Sequence, residues 1–254
     1  MLLQNASWPE VEAYLAGSKG IIIPIGSHEQ HGPNGLVGTD AICPEVIARE
    51  AGAESGLMVG PTFSIGVAQH HLGFAGSMTL RPSTMIATIL DWVESLARHG
   101  FTRIYFLNGH GGNIATIGAA FAEYYANYSL DGEPCPVVLK QRNWWELPGI
   151  YDLCARMFPV GHGSHATASE VAVTYYAYPD AVKDVEMSPK IAPDGDFTDA
   201  ADYRATFPDG RIGSDPSQAT VEKGETIVKA SRAALIEEAG KFFATADAAQ
   251  AAAE

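Results

Sequence analysis

Residues 21–40 read IIIPIGSHEQHGPNGLVGTD, an apolar run that turns directly into side chains suited to binding metal ions. Glu29 and His31 stand two apart, a spacing that on extended chain puts both on the same side, and Asp40 follows on a loop rich in glycine and proline. A carboxylate and a neutral imidazole are both good donors to a borderline divalent ion such as zinc or manganese, and a second carboxylate can bridge two ions. The embedded HEQH is not a zinc-protease motif. Its histidines, His28 and His31, are three apart where HExxH needs four on a helix face, and Pro33 with its flanking glycines disfavours a helix. His28 should therefore point away from Glu29 and His31.

Further along, the apolar run RIYFL is followed by NGHGGN, Asn108 to Asn113. A glycine loop between a strand and a helix can seat an anion, but Ile114 stands where a dinucleotide fingerprint needs its third glycine. The glycines are better explained by a backbone that crowds around His110. A third group lies in GHGSHATASE, where His165 and Glu170 are the candidates and Glu170 falls early in a helix. The loop at 62–76 carries His70 and His71, and Trp144 and Trp145 follow a strand. No GxSxG elbow occurs, and Ser164 sits in GSH instead, so a serine hydrolase is a poor reading.

The elements that must position these groups follow from periodicity. Ser7, Pro9 and Glu10 mark the start of a first helix, which leads into a buried strand at 20–25. Residues 41–51 repeat apolar groups at helical spacing, Met58 to Pro61 reads as a short strand, and 62–76 as a long surface loop. A second short strand is expected at Met78 to Leu80. Ile86, Ile89, Leu90, Val93 and Leu96 define a helix over 83–99 that Gly100 ends. Strands at 103–107 and 135–141 and a helix at about 114–125 follow. Residues 179–218 form an irregular arm with too many aromatics for a linker, packed on the domain, on another subunit or over the site. A last helix at about 226–247 ends in an alanine-rich stretch expected to fray.

With 254 residues, 46% of them hydrophobic, the chain can bury a full core, and no linker divides it. A net charge of -14 makes a nucleic-acid partner improbable, because such binding rests on neutralising phosphates with lysine and arginine. Cys43, Cys135 and Cys154 show neither CxxC spacing nor an even count, which suits a reducing compartment. No signal-peptide pattern and no apolar window of membrane-spanning length is visible, so the sequence reads as cytoplasmic, with no membrane partner.

Taken in order, GSHEQHG…TD, HLGFAGSMTL, NGHGGN and SHATASE resemble the creatininase family of metal-dependent amidohydrolases, over about residues 7–178. The resemblance implies one α/β domain over 1–254, with a central, mostly parallel mixed sheet flanked by helices in three layers. It implies two divalent metal ions, zinc first, with manganese or iron as alternatives, and a homo-oligomer, often a hexamer. The implied reaction is cleavage of a C–N bond in a cyclic amide, a formamide or a related small amide by a metal-activated hydroxide. Position by position, Glu29 and Asp40 match ligands of one metal, while His31, His110 and Glu170 match ligands of the other, with Asp40 bridging. His165 matches the histidine of proton transfer, and His71 and Trp144 match substrate-binding positions. Two departures stand out: Gly112 occupies a position where creatininase offers a glutamate to the metal, and a tryptophan expected before SHATASE is absent. Creatinine is therefore not the favoured substrate. The alternative is a non-catalytic metal- or nucleotide-binding module that keeps the fold while Gly112 has removed a ligand.

Overall fold

Among the described residues three strands, β1 (Gly20–Ile25) and β2 (Arg103–Asn108), rich in β-branched or aromatic residues, and the more polar β3 (Val138–Asn143), pair in the order β1-β2-β3, all parallel. The structure is a computed structural model that describes residues 1–251, with side chains described to residue 244. Side chains alternate across the pleat. Ile21, Ile23, Ile25, Ile104 and Phe106 face a core built with α1 (Trp8–Gly17), α3 (Pro82–Arg98) and α4 (Ile114–Asp131). Ile22, Tyr105 and Leu107 face the other core, built with α2 (Thr39–Ser55), α5 (Ile150–Met157), α6 (Ala168–Ala177) and α8 (Val221–Ala251). The result is a sheet between two helical layers, as anticipated, with antiparallel pairing only in isolated bridges such as His28 to Met78.

Helix boundaries shift outward where caps extend them. The Ser7 N–H donates to the Glu10 carboxylate, 2.7 Å, so α1 starts as read. α2 begins at Thr39, not residue 41, and so takes Asp40 out of the loop and into its own first turn, where the helix dipole favours a carboxylate. α4 continues six residues past the expected end, to Asp131. β3 is displaced towards its polar half: Pro136 cannot join the ladder, and Lys140 and Arg142 lie on the strand with Glu238 accepting from both at 2.7 and 3.0 Å.

Two expected strands are not regular ones. Met58 to Phe63 lies along the free edge of β1, where Ile22 N donates to Met58 O at 2.9 Å, Gly60 N to Ile22 O at 2.8 Å and Phe63 N to Pro24 O at 2.9 Å, but Pro61, which has no N–H, interrupts the ladder. Met78 makes a single bridge to His28. Nor is 62–76 a surface loop throughout, since Phe63, Val67, Ala68 and His71 are buried. The arm does pack on its own domain, through a short helix α7 (Ala200–Thr206) and a fully buried Arg211. That guanidinium donates to the carbonyls of Pro189, Lys190 and Ser214 and to the Asp209 carboxylate, at 2.7–3.0 Å. The expected fraying of the alanine-rich end falls outside the described side chains. No described helix is long and apolar enough to cross a membrane.

The contact that fixes the layers is the approach of α2 to the sheet. Gly26 and Gly109, just beyond β1 and β2, sit so close under the Asp40 carbonyl that a Cβ on either would overlap it. Gly109→Ala is therefore expected to cost about 1–3 kcal/mol in urea denaturation. Unchanged stability would mean that the helix can lift off the sheet freely.

Candidate metal centre

Because Ile25, Asn108 and Asn143 are register partners, the loops leaving the three strands start side by side. A buried amide network holds them. Asn108 Nδ2 donates to Asn143 Oδ1 at 2.8 Å and to His110 O at 2.6 Å, while Asn113 Nδ2 donates to Gly26 O at 2.9 Å and its Oδ1 accepts from Val67 N at 3.0 Å. Glu29 and His31 come from the loop after β1, Asp40 from the first turn of α2, and His110 from the loop after β2. Ala166, at φ +52°, reverses the chain between His165 and α6. Glu170 then stands third in that helix in a capping box, its carboxylate accepting from Thr167 N–H while its own N–H donates to Thr167 Oγ1.

These side chains converge. His31 Nε2 lies 3.0 Å from Asp40 Oδ1 and 3.8 Å from Glu170 Oε1. His110 Nδ1 lies 2.9 Å from Asp40 Oδ2 and 3.2 Å from Glu29 Oε1. Three donor sets result, Glu29–Asp40–His110, His31–Asp40–Glu170 and Glu29–His31–His165, each with its ligand atoms within 4.8 Å of one another. Asp40 belongs to the first two, one oxygen facing each histidine. In these sets His110 stands with Glu29, the end of β2 lying beside the end of β1, whereas the family resemblance placed it with His31 and Glu170.

The donor atoms suit cations better than one another. His31 Nδ1 donates to Glu29 O at 3.1 Å and His110 Nε2 donates to Val67 O at 2.9 Å, so each ring turns its other nitrogen to the carboxylates, where a neutral ring presents a lone pair to a cation. Despite the short distances, Glu29 Oε1 and Oε2, His31 Nε2 and Asp40 Oδ2 are buried with no aligned hydrogen bond. Three carboxylates meet here, and no lysine or arginine is among the described residues lining the site. Burial would lower the His31 pKa, but Asp40, Glu170 and Glu29 outweigh it and raise it to about 10. Burial is likewise outweighed at His110, which Glu29 and Asp40 raise, and at Glu29, which His110 and His71 hold well below the usual carboxylate range. Glu170 goes the other way: burial lifts it to about 7 against the pull of His31. The cluster attracts positive charge, and divalent ions fit it.

Beside it opens a cavity of about 490 Å³ walled by Trp144, Trp145, Tyr151, Phe197, Tyr203 and Ile212. His165 Nδ1 lies 3.8 Å from Glu29 Oε1, and burial together with the neighbouring His31 and His71 pushes its pKa well below the usual histidine value. Trp144 lines the cavity although it is 1% exposed, and its Nε1–H has no partner. His71 also lines the cavity. Its ring is 1% exposed, with Nδ1 3.0 Å from Gln30 Nε2 and Nε2 3.2 Å from Glu29 Oε1, so it backs the carboxylate as well. His70 presents the freer ring to the cavity, stacked on Phe197 and held neutral by burial at a pKa of about 4. His28 bonds Ser64 O outside the cluster, as expected. Sequence reasoning missed Gln30, Asn108, Asn113 and Tyr203. The two asparagines bracketing NGHGGN were the signal available.

The family model for creatininase, described as creatinine amidohydrolase, matches residues 4–239. The creatinine amidohydrolase of Pseudomonas putida is 28% identical over 238 residues, covering 88% of this chain and 90% of its own. The mycofactocin precursor peptide peptidase of Mycobacterium ulcerans (strain Agy99) is 26% identical over 220 residues, covering 82% and 79%. A solved structure described as "Creatininase Mn" aligns with a TM-score of 0.82 at 24% identity, over 95% of this chain and 98% of the other, a likeness of fold.

If the cluster holds divalent ions, zinc added to chelator-treated protein should raise Tm. At a free concentration 100 times Kd the gain is about 2.7 kcal/mol. A Tm indifferent to zinc and manganese would remove the centre.

Proposed function

The chain belongs to the creatininase family, and from that premise we propose that it is a two-metal amidohydrolase cleaving the C–N bond of a cyclic amide, a formamide or a related small amide. The observation that carries this reading is Asp40, whose two carboxylate oxygens face His31 and His110 at 3.0 and 2.9 Å. Glu29, Asp40 and His110 would hold one ion, and His31, Asp40 and Glu170 the other, zinc being the first choice. The manganese named for the similar creatininase structure keeps that metal in play. Bound ions would polarise the amide carbonyl and make water a competent nucleophile at neutral pH.

Three protein ligands to each ion is the number that leaves a catalytic site open. Gly112 fits that count. A Cβ there would overlap His110 Nε2 and crowd Val67 O, so no side chain reaches the centre from this position while His110 stays where it is.

An amide releases its amine only if the leaving nitrogen is protonated as the bond breaks. His165 is placed to supply that proton. Its Nε2–H donates to Gln30 O at 2.8 Å, which leaves Nδ1 bare and facing the centre. It must therefore accept a proton from the attacking water at Nδ1 and pass the same proton to the leaving nitrogen, and its lowered pKa keeps it neutral and ready to accept. Trp144 offers a free Nε1–H to the substrate, and Phe197 and Tyr203 add an aromatic wall. Among the described residues the wall carries no lysine or arginine, so no cationic side chain is there to pair with an anionic substrate group.

Elemental analysis of protein purified without chelator, alongside a screen of creatinine, cyclic amides, formamides and short peptides, tests this reading. Close to two ions per chain and turnover of an uncharged amide are expected. Asp40→Ala should lose both ions and all activity, whereas His165→Ala should keep the ions and lose about 10²–10⁴ in kcat. Full activity in His165→Ala would exclude it as the proton carrier.

A further inference from the structure

Gln30 lies between two of the centre's carboxylate and imidazole donors in sequence, yet its side chain turns to their back side, where it is buried among the arm, His71 and His165. Its amide orientation is fixed. Oε1 accepts from Gly32 N–H at 2.8 Å, and Nε2 must donate to Gly210 O at 2.9 Å, because a carbonyl only accepts.

One amide hydrogen remains, with three neighbours in reach of it: His71 Nδ1 at 3.0 Å, His165 Nε2 at 3.0 Å and Tyr203 OH at 3.5 Å. His165 Nε2 is already bonded to the Gln30 main-chain carbonyl at 2.8 Å, so it carries a hydrogen and cannot accept. Tyr203 OH is distant and donates its own hydrogen to Gly210 O at 2.8 Å. The second hydrogen therefore goes to His71 Nδ1, and His71 bears its proton on Nε2, against Glu29.

We propose that Gln30 is a positioning residue that sets the Nε2–H tautomer of both flanking histidines, His71 through its side-chain amide and His165 through its main-chain carbonyl. The arm holds this residue in place: Gly210 sits so close that a Cβ there would overlap the Gln30 amide, and Ser214 Oγ donates to His165 O at 2.8 Å. The arm thereby decides, through Gln30, that the bare nitrogen of His165 faces the centre. The tautomers follow from hydrogen-bond geometry alone, and only their consequence for turnover rests on the amidohydrolase reading.

Long-range proton–nitrogen spectra of protein labelled with ¹⁵N-histidine and supplemented with zinc, assigned with His71→Gln and His165→Ala, report the tautomers directly. Both rings are expected neutral with the hydrogen on Nε2. Gln30→Met, which keeps bulk and loses both donors, should let His71 populate both tautomers and lower kcat about 10²-fold, with zinc content and KM little changed. Gln30→Glu, a near-isostere that can only accept, should draw the His71 hydrogen to Nδ1. A wild-type spectrum with either ring protonated on Nδ1 overturns the proposal, and it decides even where the variants fail to fold. So does Gln30→Met with wild-type tautomers or wild-type kcat. Correct tautomers in a protein that turns over no amide would instead count against the functional reading and leave the positioning intact.

Discussion

Buried negative charge is the condition that the rest of the molecule is arranged to meet. Glu29 and Asp40 are buried and Glu170 nearly so, with imidazoles and, at Glu170, the Thr167 N–H as their polar company. Such a cluster is costly unless positive charge joins it, since an unpaired buried carboxylate loses its hydration without return. The histidines are turned so that their bare nitrogens share the same space, each tied behind to a main-chain carbonyl. An arrangement that fails as a set of ion pairs works as a set of ligands.

Holding it there requires a frame that does not yield. Parallel pairing brings the ends of β1, β2 and β3 level, the asparagine network locks the departing loops to one another, and the two glycines under Asp40 let α2 sit directly on the sheet. The arm adds the outer wall and is fastened by its own buried arginine, so the cavity is shaped by a segment whose anchorage is independent of the centre.

Most of the candidate centre was legible because its residues are of unusual type and sit at strand ends. Glu29, His31, His110, His165 and Glu170 could be picked out one at a time, and Asp40 too, although its place in a helix was not visible, because α2 starts behind Gly38 without a side-chain cap to mark it. What could not be read was anything decided by contact between distant segments. The allocation of His110 depends on which strand neighbours which, and the supporting role of His71 on where an irregular loop folds back. Regular strands were overestimated at Met58 and Met78, where hydrophobicity promised pairing but Pro61 and a lone bridge limited it. β3 was drawn too early because its polar residues, bonded to Glu238, do not look like a strand.

Gly112 has a consequence for how such sites can diversify. The space that a side chain there would need is already taken by the ring of His110 and by a main-chain oxygen. Positions 110 and 112 are therefore not free to vary separately: a carboxylate introduced at 112 meets a neighbour that has settled into its place. Any side chain at 112 needs a compensating move of the His110 ring, so a single substitution there is opposed by the packing already around it.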